Sequence, residues 1–348
     1  TDRHPWPEES LRQHIDCFRQ ILAQYGLTRE NGHSFPESFV PCAYSYYWNP
    51  QGNYSLGKLL SEAGVKFANT DFGQIPELSP PQEVNGGGFD HGVHVINRMN
   101  YGNHWYELSS LPKVPVALQG TDIIESHWPN WLAQDDFLQP MVTENWINYY
   151  RSIQQMPDRY IAKNTEQLHS QWLYKKHTIV KQTGPGTVEI DNTKMPPDAY
   201  KSKMLGNMVL KLNLGSNLRI SSATIDESLV PSYFEDAGFG FLYLPPLERK
   251  KYTLKYSTGT EAAPLSVVND GTYNVYQLRK QEKEIIVDIR MYGRQTIKIR
   301  CEKPEKVVAT TGLLVADGYQ YDAQSKIVSL IVESTDFQGK SGQLRLLY

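Results

Sequence analysis

The character of the chain changes once, near His177, and that change constrains the fold more than any other feature. Before it, helical spacing of apolar residues alternates with short apolar runs; after it, only short alternating runs occur. These runs are Val188–Asp191, Met208–Leu212, Phe239–Leu244, Tyr252–Tyr256, Ile285–Arg290, Thr296–Arg300, Lys306–Ala309, Ile327–Val332 and Gln343–Leu347. Turn residues separate them, including Asp270-Gly271, Asp317-Gly318 and Gln338-Gly339. A period of two with frequent turns predicts antiparallel β-sandwich material. The stretch Thr258 to Pro264 reads as a boundary, so residues 178–260 and 261–348 are expected to form one β-sandwich module each.

Residues 1–177 read differently. Leu11, Ile15, Phe18, Leu22 and Tyr25 share one face of a helix over Glu8–Tyr25, which Gly26 stops. A short buried strand is expected over Phe39–Tyr44, a helix over Leu56–Ala63 closed by Gly64, and a strand over Val65–Thr70. Residues 73–92 carry Pro76, Pro80, Pro81 and Gly86-Gly87-Gly88, the composition of a loop. The glycine triplet is no phosphate loop, because no Lys-Ser/Thr pair follows it. A strand over His94–Met99 comes next, and helices are expected over Val142–Gln154 and Thr165–Tyr174. Helices and strands alternating at short spacing predict a mainly parallel sheet.

The stretch Val114–Trp131 carries the chemistry. It is read as a buried strand through Val114, Val116 and Leu118, then a second apolar run at Ile123-Ile124, ending in Ser126-His127-Trp128-Pro129-Asn130-Trp131. A strand of a parallel sheet delivers its last polar residues to the carboxyl edge, where such folds place their sites. An imidazole between an acid, Glu125, and two indoles is unusual chemistry for a mere loop; the bland reading is a capped strand end packed by Trp.

Composition narrows the partners. The net charge of −3, without a basic tract, gives no footprint for nucleic acid. With 22 Tyr, 7 Trp and 11 Phe, the chain leans towards carbohydrate, although aromatic side chains also fill sheet cores. Cys17, Cys42 and Cys301 lack metal-type spacing, and their odd number cannot form a complete disulfide framework. No stretch reaches the roughly 18 apolar residues of a transmembrane helix. No signal peptide is seen at Thr1-Asp2-Arg3-His4, and the start is read as processed or truncated.

The order Thr1-x-x-His4-Pro5, helix, Val40-Pro41-Cys42-Ala43-Tyr44, Leu59-Leu60-Ser61-Glu62-Ala63-Gly64-Val65 and Ile123-Ile124-Glu125-Ser126-His127 resembles the polysaccharide deacetylase (NodB-homology) family over about half the chain. The resemblance implies an incomplete β/α barrel, residues 1–177, followed by the β-sandwich modules. It implies carbohydrate N-deacetylation, an extracytoplasmic setting, and a divalent metal, zinc in this family. His4 would be one metal ligand, with its Asp and His companions upstream of Thr1. His127 would be the general acid and Asp71 its orienting partner, unless Asp71 caps the next turn. A backbone N–H near Tyr44 would stabilise the oxyanion, and Trp128, Asn130 and Trp131 would shape the sugar subsite. The family's Arg before Pro-Tyr is replaced by Phe39-Val40, which opens the reading of a catalytically decayed relative.

Two other classes compete. Asp122 and Glu125 suggest the carboxylate pair of a glycoside hydrolase, but residues three apart on a strand face opposite sides. A non-catalytic glycan-binding protein would use the β region as its face. His91, His94 and His104 have no metal-like pattern.

Overall fold

Four short strands before residue 162 run in the same direction, which sends four successive loops to one edge of their sheet. The computed structural model describes residues 3–27, 36–79, 87–119, 123–310, 312–334 and 339–348. Thr1, Asp2, Pro80, Pro81, Gly86, Asp122 and Gln338, which entered the sequence reading, lie outside the described residues. The chain is mixed α/β, rich in strand, and divides into two compact units, Thr1–Ile161 and Ala162–Tyr348.

In the first unit, β1 (Ser38–Phe39), β2 (Phe67–Thr70), β3 (Gly87–Asp90), β4 (Val93–Met99) and β5 (Ile123–Ile124) form a curled half-barrel sheet. Strands β1, β2, β4 and β5 are mutually parallel, with Ser38 opposite Phe67, Phe67 opposite His94 and Arg98 opposite Ile123. Strand β3 is antiparallel to the first half of β4, leaving the second half to β5. Helix α1 (Glu8–Gln24) precedes the sheet and α2 (Leu56–Glu62) connects β1 to β2. Ser55 caps α2 by accepting from the Lys58 N–H at 3.1 Å, and Gly64, at φ +88°, supplies the left-handed exit. Leu56, Leu60, Val65, Ala68, Val93 and Val95 bury this connection together with Tyr46, Trp48 and Phe72. Gly57 has no room for a side chain: a Cβ there would meet the Asp90 carboxyl at 2.4 Å.

Several expectations are corrected here. The run Val114–Leu118 is not a strand; Pro115 opens a single 3₁₀ turn at Val116–Leu118, with Leu118 exposed. Proline removes a ladder donor and fixes φ, so alternation of Val and Leu around it produces no pairing. The strand expected over Phe39–Tyr44 stops at Phe39, and Cys42–Tyr44 forms another 3₁₀ turn. Of the apolar face of α1, only Leu11 and Ile15 pack on the core, whereas Phe18 and Tyr25 are exposed. Cys17, Cys42 and Cys301 are all free thiols. Helices α3 (Trp128–Trp131) and α4 (Gln139–Gln154) complete the unit.

The second unit begins at Ala162 rather than after His177. Helix α5 (Thr165–His177) belongs to it through Glu166, which bonds Arg290 at 2.9 Å and Tyr292, and through Tyr174, whose hydroxyl donates to the Gly206 carbonyl at 3.2 Å. All nine alternating runs read from the sequence fall within strands. They join three sheets of five, seven and four strands. The expected boundary at Thr258–Pro264 is crossed by the seven-stranded sheet, where Ser232–Asp236 pairs in parallel with Ser266–Val268. Residues 178–260 and 261–348 therefore share a sheet instead of forming separate modules. Inward residues of the seven- and four-stranded sheets, among them Val267, Ile297, Val328, Val287 and Leu344, form one buried cluster.

Candidate functional site

The loops after β1, β2 and β5 and the last residues of β4 carry polar side chains to the carboxyl edge of the half-barrel. Tyr44 follows β1 after the Pro41 turn and holds φ +61°, next to Ala43 at φ +48°. Consecutive non-glycine residues in the left-handed region are costly and mark a segment whose surroundings fix it. Here the Thr70 hydroxyl donates to the Tyr44 carbonyl at 3.4 Å, and the Tyr44 hydroxyl donates to Glu125 Oε2 at 2.7 Å.

Glu125 follows β5 and is buried, 6% exposed. Its backbone N–H continues the pairing with β4 by donating to the Met99 carbonyl at 3.0 Å, and its own carbonyl accepts from Asn103 at 2.9 Å. Its second oxygen, Oε1, lies 3.3 Å from His127 Nε2. A carboxylate held by a phenol and an imidazole is satisfied without a permanent cation. Burial, followed by the Glu125 hydrogen bond, pushes the Tyr44 hydroxyl up to about 12, so it remains a donor at neutral pH. The other ring nitrogen of His127, Nδ1, is enclosed and has no hydrogen-bond partner among the described residues. Nε2 is thus the ring nitrogen that faces Glu125. Arg98 completes the cluster, its guanidinium carbon 5.0 Å from the centre of the Tyr44 ring.

The candidate residues separate into those that meet and those that do not. His127 and Tyr44 meet, through Glu125. Asp71 is not paired with His127: its two oxygens accept from the Gly73 N–H at 2.9 Å and from Gln74 Nε2 at 3.0 Å, so it caps the turn after β2. Asn130 is fully buried and structural. It accepts from the His127 N–H at 2.7 Å and donates to the carbonyls of His104 at 2.8 Å and Glu107 at 2.9 Å. Trp131 stacks on Trp146 at 4.0 Å and 7°, packing α3 onto α4. Trp128 is 82% exposed and free to meet a ligand.

His4 lies in an exposed bend at the start of the described chain. Its neighbours Arg3 and Trp6 bond Glu77, at 2.9 Å, and Tyr54, both in loops that follow parallel strands. Among the described residues no three His, Cys, Asp or Glu side chains come together to hold a metal ion. The donor set present, with one exposed imidazole at His4, does not fit the zinc site that the resemblance implies.

Glu125, read in the sequence as the acid beside His127 and also as half of a carboxylate pair, is the residue that faces the imidazole, the place the resemblance gave to Asp71. Arg98 was not singled out, although its place one residue before the end of β4 is the signal that the carboxyl-edge rule provides. Trp105 and Tyr106 are also exposed, in the loop that Asn130 ties to α3. No family model, no curated protein and no solved structure matches this chain.

Proposed function

We propose that the first unit is a glycan-directed hydrolase domain of the polysaccharide-deacetylase type, removing an acetyl group from an N-acetylated sugar. The observation that carries this reading is the hydrogen-bonded series Tyr44–Glu125–His127 at the carboxyl edge of parallel strands, beside exposed Trp128. In this reading His127 and Glu125 act as one acid–base couple. Water adds to the acetamide carbonyl and gives up a proton to His127 Nε2, the C–N bond breaks, and the leaving amine takes that proton back from Nε2. Glu125 lies beside the same nitrogen and balances the charge of the imidazolium once it forms. Trp128, Trp105 and Tyr106 offer the apolar faces on which sugar rings stack. No step is assigned to a metal, because the described residues do not supply its ligands.

The paired sheets of the second unit fit a β-sandwich that supports or holds the glycan, and the proposed setting is extracytoplasmic, where such polymers lie. The test is acetate release from N-acetylglucosamine oligosaccharides by the intact protein and by His127→Ala. Acetate from the former alone supports the reading. New reducing ends without acetate, or binding without turnover, overturns it.

A further inference from the structure

Arg98 stands out because it is a half-buried cation at this edge with no ion pair among the described residues. Its Nε is buried and has no hydrogen-bond partner among the described residues, and the guanidinium rests on the Tyr44 ring 5.0 Å away. The two buried carboxylates of the loops beside it are otherwise engaged: Glu125 with Tyr44 and His127, Asp71 with Gly73 and Gln74. An Nε–H shielded from water and left without an acceptor is costly for the fold, and such a cost is offset when a ligand supplies the missing acceptor. The fork of N–H donors matches a planar carboxylate in two parallel bonds, and stacking on a phenol ring fixes the plane of that fork. One guanidinium fork matches the single charge and planar shape of a carboxylate more closely than the higher charge and tetrahedral shape of a phosphate.

We infer that Arg98 anchors the carboxylate of an acidic sugar, so that the substrate of this site is a uronic-acid-containing, N-acetylated glycan. The inference rests on the glycan reading above and narrows it. Arg98 is a specificity residue here: it holds the sugar adjoining the one that His127 meets, and takes no part in proton transfer.

The test uses the full chain carrying His127→Ala, so that binding is measured without turnover. Calorimetry compares a tetrasaccharide of alternating glucuronic acid and N-acetylglucosamine with the neutral N-acetylglucosamine tetrasaccharide. The acidic one is expected to bind at least about tenfold more tightly, the change that one charged contact of ~1.4 kcal/mol produces. Adding Arg98→Gln is expected to abolish that preference, while Arg98→Lys, a charge without the fork, retains part of it. Equal binding of the two tetrasaccharides by the Arg98 protein overturns the inference and leaves the glycan reading standing, as does a preference that survives Arg98→Gln in a protein with unchanged circular dichroism. Binding of neither overturns both. The preference of the Arg98 protein is informative even if the variants fail to fold.

Discussion

Glu125 Oε1 lies 3.3 Å from His127 Nε2 while its other oxygen accepts a hydrogen bond from the Tyr44 hydroxyl at 2.7 Å, so one buried carboxylate joins loops that follow the first and last parallel strands. If this couple performs the proton transfer, Glu125→Gln should lower kcat for acetate release about 10²- to 10⁴-fold, as should His127→Ala. Asp71→Asn, altering a turn cap instead, should change kcat far less. Steady-state acetate assays on the three variants distinguish these roles.

Tyr44 should register in the alkaline limb of stability. Burial and Glu125 raise its hydroxyl to about 12, above the value near 10 expected in the unfolded chain. The folded state holds the proton more tightly, so this contribution is complete below pH ~10 and lost as pH rises towards 12. Denaturant unfolding from pH 9 to 12 should show a shallower decline for Tyr44→Phe than for the unaltered protein.

The acid limb should carry the signature of His169, which is fully buried on α5 and lowered by burial to about 3. The unfolded chain binds a proton at this residue near pH 6.5, whereas the folded one does not. Stability from it is therefore complete above about 6.5 and is lost as pH falls towards 3. His169→Gln should flatten that part of the curve in unfolding measurements between pH 7 and 4, whatever its effect at neutral pH.

The two neighbouring indoles should behave oppositely. Trp131→Ala removes the stack on Trp146 and should cost about 2–4 kcal/mol of stability, with a lower thermal midpoint. Trp128 is 82% exposed, so Trp128→Ala should leave stability within about 0.5 kcal/mol while weakening oligosaccharide binding. Scanning calorimetry and binding titrations on the same samples test both.

Asn130→Ala removes the side-chain partner of the His127 N–H and of the His104 and Glu107 carbonyls. Leaving these groups unpaired should destabilise by about 2–4 kcal/mol and lower activity indirectly, through loss of the His127 position. Asn130→Asp keeps the bond from His127 but not the two donations. It should rescue neither stability nor the 104–109 loop, as amide exchange in that loop would show.

Much of the second unit was legible because alternation is a local property: a strand with one buried face must place apolar residues two apart. The strands that escaped have weaker alternation, among them Arg219–Ile225 and Asn274–Lys280. Asp317-Gly318 looked like a turn between strands but lies inside Leu313–Asp322, where both residues take positive φ and the register shifts by a bulge.

By itself the sequence determined the alternation of helix and strand before residue 162 and the strand-rich remainder, since periodicity and turn chemistry act over a few residues. It also drew attention to His127 and Tyr44. Only the tertiary structure decided that Glu125, not Asp71, faces the imidazole, that Asn130 and Trp131 are framework, and that His4 stands in an exposed bend. The physical reason is that a hydrogen bond between side chains 81 residues apart, as in Tyr44 and Glu125, is set by how parallel strands align their ends, and no spacing within the chain encodes that alignment locally.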